Sequence, residues 1–262
     1  MIRLCLTLVG VTILALPLVS ACRQGDSALS RIQESGILRV AVDPSFPPFE
    51  SVDSAGQVVG YDADLGQALA RHLDADVHFV TTGYDALYDT LTVGRADVII
   101  SALYPDQSRT SAFVFSDPYF NAGEVIIVSA ESEIVSSDDL AGQRIACVFG
   151  TAGHMELLRL GKTLTPPPTV LTVDDPVTIT AALHTGTVEA IVIDHVSALT
   201  AAGSDPGLDI LLPPLTDEPY VIAARQEDSR LLRALNEALS DLAANDTLDA
   251  LRDRWMVRPT AR

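Results

Sequence analysis

Residues 77–101 read VHFVTTGYDALYDTLTVGRADVIIS. An apolar β-branched run (Val77–Thr81) gives way at Gly83 to a segment of helical character, about Asp85 to Val93, which Gly94 stops. A second apolar run, Ala96–Ser101, follows. Strand, helix and strand at this spacing form a βαβ unit, whose two strands lie parallel in one sheet. Working outward, Ile37–Val42 is a near-continuous apolar run, the pattern of a strand covered on both faces. Gly60 to about His72 is the helix that follows it, with Leu65, Ala68 and Leu69 on its apolar side, Asp62 as its expected cap and Asp64 as an early acid.

The scheme then repeats. Arg144–Val148, Val170–Val173 and Glu189–Ile193 are predicted strands, separated by helices after Gly150-Thr151-Ala152-Gly153 and after Asp174-Asp175-Pro176. Val125–Val128, Ile210–Leu212 and Tyr220–Ala224 add further strands. Ser229 to about Ala244 carries Leu232, Leu235, Leu239 and Leu242 along one face of an amphipathic helix, and Leu248–Trp255 is a last helix.

The 262 residues are 48% hydrophobic, enough for one large or two moderate cores. Seventeen Lys and Arg against 35 Asp and Glu leave a formal charge of -18. That balance argues against nucleic acid and anionic membrane surfaces as partners, since both need basic patches.

The chain begins MIRLCLTLVGVTILALPLVSAC, with Arg3 ahead of the apolar Leu4–Val19 and small residues before Cys22. Residues 1–21 read as an export signal. The site before Cys22 resembles the bacterial lipobox, which implies lipidation of Cys22, with 22–35 as tether and first helix, and a periplasmic or cell-surface protein held to a membrane by lipid alone. With Cys5 removed and Cys22 lipidated, Cys147 has no disulfide partner and reads as a buried strand cysteine.

Candidate site residues lie where strands end. Residues 98–120, VIISALYPDQSRTSAFVFSDPYF, break at Pro105-Asp106 and place Arg109 between two apolar runs. A guanidinium there suits a planar carboxylate, or is an ordinary surface charge. Asp194 ends a strand where open α/β sheets bind ligands, and is equally placed to cap the next helix. Thr151 opens a helix whose free N–H groups suit an anion, or a tight turn. In Asp43-Pro44-Ser45-Phe46-Pro47-Pro48-Phe49-Glu50 the prolines stiffen a loop, with Phe49 expected in the core and Phe46 in a cleft. No nucleophile elbow, phosphate loop, dinucleotide fingerprint or metal-ligand cluster appears, so neither cofactor nor metal is expected. Asp194-His195 reads as structural.

GILRVAVDPSFPPFE, VVGYDADLGQALA, GYDALYDTLTVGRADVII, SRTSAFVFSDPY, LAGQRIACVFGT, LHTGTVEAIVIDH and the EPYVIAARQEDSRLLRALNEALSDLAANDTLDALRDRW return segment closely resemble bacterial extracellular solute-binding proteins of family 3, which serve polar amino acid ABC importers. The resemblance spans about residues 30–256. It implies an α/β fold, a type II periplasmic-binding clamshell with mostly parallel sheets flanked by helices and two hinge strands. One lobe would comprise 36–125 and 220–262, the other 126–219.

Position by position, the resemblance implies that Arg109 binds the ligand's α-carboxylate, supported by the backbone of Ser101, Ala102 and Leu103 and by Thr151 on the second lobe. Asp194 would bind the α-ammonium, Phe46 and Tyr84 would cover the ligand, and Asp43 would approach a distal amine or amide. Relatives usually carry Thr or Ser where this chain has Tyr104, and often Ser or Gly at Ala102 and a small hydroxyl at Ala152. A phenol at 104 would reach across the pocket floor, swing toward the other lobe, or exclude a bulky ligand. The implied protein is a monomeric, non-enzymatic carrier of an amino acid-like zwitterion that docks on an ABC permease. A ligand-sensing partner of a membrane receptor shares the clamshell. So do the cyclohexadienyl dehydratases, for which Tyr104, Asp43 and Glu218 would be the candidate acids or bases.

Overall fold

The computed structural model describes residues 28–174 and 179–256. The leader, Cys22 and the helix start at Asp175-Pro176 lie outside the described residues. In chain order, α1 (Ala28–Ser35), β1 (Ile37–Val42), the hairpin β2 (Ser51–Val52) and β3 (Val58–Val59), α2 (Tyr61–His72), β4 (Asp76–Thr81), α3 (Leu87–Thr92), β5 (Val98–Ile99) and β6 (Phe113–Phe115) come first. The chain then crosses through β7 (Phe120–Asn121) to β8 (Glu124–Ser129), β9 (Arg144–Val148), α4 (Ala152–Leu160), β10 (Thr169–Val173), α5 (Ala181–His184), β11 (Ala190–Asp194), α6 (His195–Ser204) and β12 (Leu208–Leu211). It returns through β13 (Pro219–Tyr220) to β14 (Ala223–Arg225), α7 (Ser229–Ala244) and α8 (Thr247–Met256).

Two five-stranded sheets result, ordered β4-β1-β5-β14-β6 and β10-β9-β11-β8-β12. Each is mixed. β4, β1 and β5 are mutually parallel, as are β10, β9 and β11, while β14 and β8 run antiparallel to both of their neighbours. Parallel pairing covers the βαβ units read from the sequence. The strand that arrives from the other half reverses direction, which hydrophobic periodicity does not encode. β7 and β13 pair antiparallel, Phe120 opposite Tyr220, so the two crossings run side by side.

Apolar periodicity becomes packing directly. Leu232, Leu235, Leu239 and Leu242 of α7, joined by Leu231, are buried with Leu38, Val40, Phe49, Tyr61, Leu65 and Ile100 against the first sheet. The second sheet is covered on both faces. Ile126, Ile145, Cys147 and Val192 pack with Leu157 on one side, and Val125, Ile127, Ala146 and Ile191 with Ala198 on the other. Cys147 is a free, buried cysteine whose thiol is pushed up to about 11 by burial and then by the Glu124 charge, the state of an inert core residue.

The same ion pair is built into each sheet. Arg39 on β1 donates to Asp97, which is 2% exposed, and to the Gly94 carbonyl. Arg144 on β9 donates to Glu189 and to the Gly186 carbonyl. In both, the glycine stands three residues before the acid at a positive φ.

One expectation is corrected. Asp62 does not cap α2. The cap position is Gly60, whose φ of 136° and close approach to the Phe49 carbonyl exclude a side chain. Asp62 is instead buried in the first turn.

Candidate functional site

Pro105 halts the chain after β5, and Asp106 caps a short helical turn by accepting from the Ser108 amide at 2.9 Å. That turn presents Arg109 to a cavity of about 440 Å³ lined also by Tyr84, Tyr88, Leu103, Tyr104 and Asp106. Arg109 donates Nε to Asp106 at 2.8 Å, and its guanidinium lies 4.4 Å from the centroid of the Tyr88 ring. Among the described residues, neither Nη of Arg109 has a hydrogen-bond partner. A fork held flat on a ring with its outer nitrogens unoccupied is arranged for a planar anion.

Behind the cavity, two buried acids hold the Ser101–Leu103 loop. Ser101 Oγ donates to Glu50 Oε1 at 2.9 Å and accepts from the Asp43 amide at 3.0 Å. The Ala102 amide donates to Asp62 Oδ2 at 2.6 Å, as does the Tyr119 hydroxyl at 3.0 Å. Ala102 has φ +43°, a strained conformation that aims its amide at Asp62. The Val221 amide donates to the Leu103 carbonyl at 2.9 Å. Glu50 and Asp62 are each 1% exposed, and each keeps one oxygen, Oε2 and Oδ1, without an ordinary donor. Burial and the charge of Asp62 push the Glu50 carboxyl far above the usual range. Glu50 therefore stays protonated, and its proton serves Asp62 as a further donor.

Asp43 Oδ2 accepts the Tyr84 amide at 3.0 Å. Phe46 and Tyr84 are 48% and 46% exposed, and Phe46 stacks at 5.8 Å on Phe49, which is fully buried as expected of a core residue, while Phe46 does not line the Arg109 cavity.

On the second sheet, Thr151 caps α4. Its hydroxyl donates to the Val148 carbonyl at 2.8 Å and accepts weakly from the His154 amide at 3.4 Å. Ala152 is the first residue of that helix. Asp194 caps α6 by accepting from the Ser197 amide at 2.8 Å. His195 is buried, its Nδ1 2.8 Å from the Asn121 carbonyl oxygen and its ring stacked on Phe120, a structural role as expected.

Tyr104 turns toward the crossing. Its hydroxyl donates to Glu218 Oε2 at 3.4 Å and its ring packs edge-on against Tyr220 at 5.0 Å. Burial raises its phenol, and the Glu218 and Asp194 charges add to that rise. Arg109, Tyr84, Leu103 and Tyr104 thus share one cavity, with Ser101, Ala102 and Asp43 tied to its walls. Thr151 and Asp194 do not line it.

Sequence reasoning passed over Glu50 and Glu124. Glu124 opens β8 opposite Asp194 and is 5% exposed. Its carboxyl is pushed up to about 7 by burial and then by Asp194 and Glu218. An acid at the head of the apolar run Val125–Val128 was the available signal. A larger depression of about 1340 Å³ lies at the other end of the first sheet. Its lining includes the ion pairs Arg39–Asp97 and Arg225–Asp228. Among the described residues no group of three His, Cys, Asp or Glu is placed to hold a metal ion.

The profile of bacterial extracellular solute-binding proteins, family 3, matches residues 38–258. A probable histidine-binding protein of Neisseria gonorrhoeae is 30% identical over 246 residues, covering 92% of this chain and 91% of its own. The unliganded, open L-cystine solute receptor of Neisseria gonorrhoeae superposes with a TM-score of 0.75 at 23% identity, over 88% of this chain and 97% of its own. An ancestral cyclohexadienyl dehydratase superposes with a TM-score of 0.77 at 26% identity, over 88% and 96%. The architecture is thus the two-lobe α/β clamshell expected from the sequence.

Proposed function

The chain belongs to the bacterial extracellular solute-binding proteins, family 3, and on that footing we propose that it captures an amino acid or similar small zwitterion between its lobes and delivers it to an ABC importer. The proposed lobes are residues 36–121 with 219–256, and 124–211, because Glu124 and Val125, expected in the first lobe, open β8 of the second sheet. The observation that carries the reading is Arg109, with both Nη unoccupied at the edge of a cavity where the parallel strands of the first sheet end. The ligand's carboxylate lies on that fork. Its ammonium meets Asp194, while Thr151 adds a hydroxyl and a helix start to the carboxylate side. Ligand bridging the lobes biases the hinge toward closure, and closure excludes water and strengthens both ion pairs. Names among the relatives, such as the histidine-binding protein above, support an amino acid as the solute.

Cys22 is the proposed lipid tether at a periplasmic or outer surface, with the closed form docking on the permease through the rims of both lobes. The test is a thermal-shift screen of the mature chain across the amino acids and related small acids and amines, because a ligand that binds only the native state raises its melting point. A shift with one chemical group of amino acids supports the reading. No shift with any of them sinks it.

A second reading is a dehydratase on the same fold. It is favoured by the Tyr104–Glu218 pair, which puts a phenol and a carboxylate at the cleft, and by the resemblance to the ancestral dehydratase. Incubation with prephenate or arogenate tests it, and absence of an aromatic product disposes of it.

A further inference from the structure

Tyr84 and Tyr88 stand four residues apart across the start of α3, and both line the Arg109 cavity. Tyr84 is half-exposed and open to a solute, whereas the hydroxyl oxygen of Tyr88 is buried. The Tyr88 ring is held firmly. It packs on Phe113 with ring centroids 4.8 Å apart, at the edge of the cluster that contains Leu87, Leu91, Ile99 and Leu103. Over this platform lies the Arg109 guanidinium, 4.4 Å from the ring centroid.

The contact matters because arginine is otherwise loose. The Arg109 side chain is 48% exposed on a short helical turn, and Asp106 grips it at Nε alone. An exposed ion pair three residues apart contributes little by itself, and one bond at Nε leaves the fork free to swing. The ring supplies the second restraint. Together the two fix the guanidinium while leaving both Nη to the cavity. A bidentate carboxylate contact needs that order, and order present beforehand is not lost from the binding free energy.

The hydroxyl has no share in this. Among the described residues, the buried Tyr88 oxygen has no hydrogen-bond partner. Burial and then the Asp106 charge push the phenol up to about 12, so it stays neutral. A phenylalanine would offer the guanidinium the same face and shed an orphan polar atom, a change expected to be neutral or stabilising.

We propose that Tyr88 is a positioning residue of the carboxylate half-site, whose ring holds the Arg109 fork in place before the solute arrives. This rests on the amino-acid-binding reading above and adds to it the residue that prepares Arg109.

The probes are the twenty standard L-amino acids, titrated calorimetrically one at a time into the mature chain, and the C-terminal amide of each one that binds. Tyr88→Phe is expected to hold each amino acid within about twofold of the parent. Tyr88→Leu is expected to weaken the same amino acid by about three- to tenfold, and its amide by less than about twofold, because the amide lacks the carboxylate that the fork receives. Equal loss for acid and amide marks Tyr88 as structural and overturns the inference, as does full affinity in Tyr88→Leu. A loss in Tyr88→Phe as large as that in Tyr88→Leu assigns the effect to the hydroxyl and overturns it too. All three leave amino acid binding intact. If no amino acid binds the parent, the broader reading falls and takes this one with it. Should Tyr88→Leu not fold, Tyr88→Met removes the ring while keeping an unbranched apolar chain in its space, and the same outcomes decide.

Discussion

Arg109 and Asp106, three residues apart, are joined by one hydrogen bond of 2.8 Å from Nε, leaving the outer edge of the guanidinium to the cavity. Asp106 thus orients the fork without filling it. Arg109→Ala is expected to weaken binding of any carboxylate solute by about tenfold or more, from the loss of charge-assisted bonds worth about 1.5–3 kcal/mol. Arg109→Lys should recover only part of this, because an ammonium is a point charge and not a planar fork. Calorimetry showing unchanged affinity for Arg109→Ala would remove the residue from the site.

Asp194 caps α6 and is proposed to meet the ligand's ammonium, two roles that one pair of variants separates. Asn keeps the cap on α6, since it accepts from the Ser197 amide as Asp does, but lacks the charge. Asp194→Asn should therefore lose affinity for ligands bearing an α-ammonium while its melting point stays near that of the parent. Asp194→Ala should lose about 1 kcal/mol of stability as well. Equal loss by a des-amino analogue in the Asn variant counts against contact with the ammonium.

The Glu50–Asp62 pair makes stability depend on pH in a stated direction. Glu50 in the folded protein keeps its proton far above its ordinary 4.5, by burial and then by the charge of Asp62, whereas the unfolded chain loses it near that ordinary value. Above the ordinary value the folded state binds more protons, so stability falls as pH rises toward the folded value. His195 runs the other way. Its burial keeps it neutral below its usual range, so acidification destabilises the fold. Thermal melts from about pH 6 to about pH 9 should show a steady decline in the parent and a shallower one in Glu50→Gln, which keeps a donor but does not titrate. Parallel declines would show that the pair does not titrate as described.

Gly123 sits on the first crossing, where an added Cβ would stand 2.0 Å from the Thr216 carbonyl oxygen on the second. Gly123→Ala must push the two segments apart, at an expected cost of about 1–3 kcal/mol in chemical denaturation. An unchanged midpoint would mean that the crossings separate freely.

Much of this architecture can be read from local pattern. The apolar runs of β1, β9 and β11 and the leucine stripe of α7 each declare their own element, and Arg109 stands out because a charge returns between two apolar runs. What escaped depends on partners distant in sequence. Asp62 sits where a cap belongs, so a local explanation sufficed, yet its partner is the Ala102 amide 40 residues away. Glu124 shows its meaning only once β8 pairs with β11 and sets it opposite Asp194. Tyr104 was visibly out of pattern, but its direction depends on Glu218, which the chain reaches 114 residues later.

The two crossings have a further consequence. The Ala122 amide donates to the Glu218 carbonyl at 2.9 Å, and the Glu124 amide to Thr216 Oγ1 at 2.8 Å, so the chain departs and returns through neighbouring residues. The segment between them is topologically a cassette spliced into a continuous host. A short turn joining Ala122 to Glu218 would reseal the host without disturbing β14 or α7, and a foreign domain with adjacent termini could be grafted at the same junction.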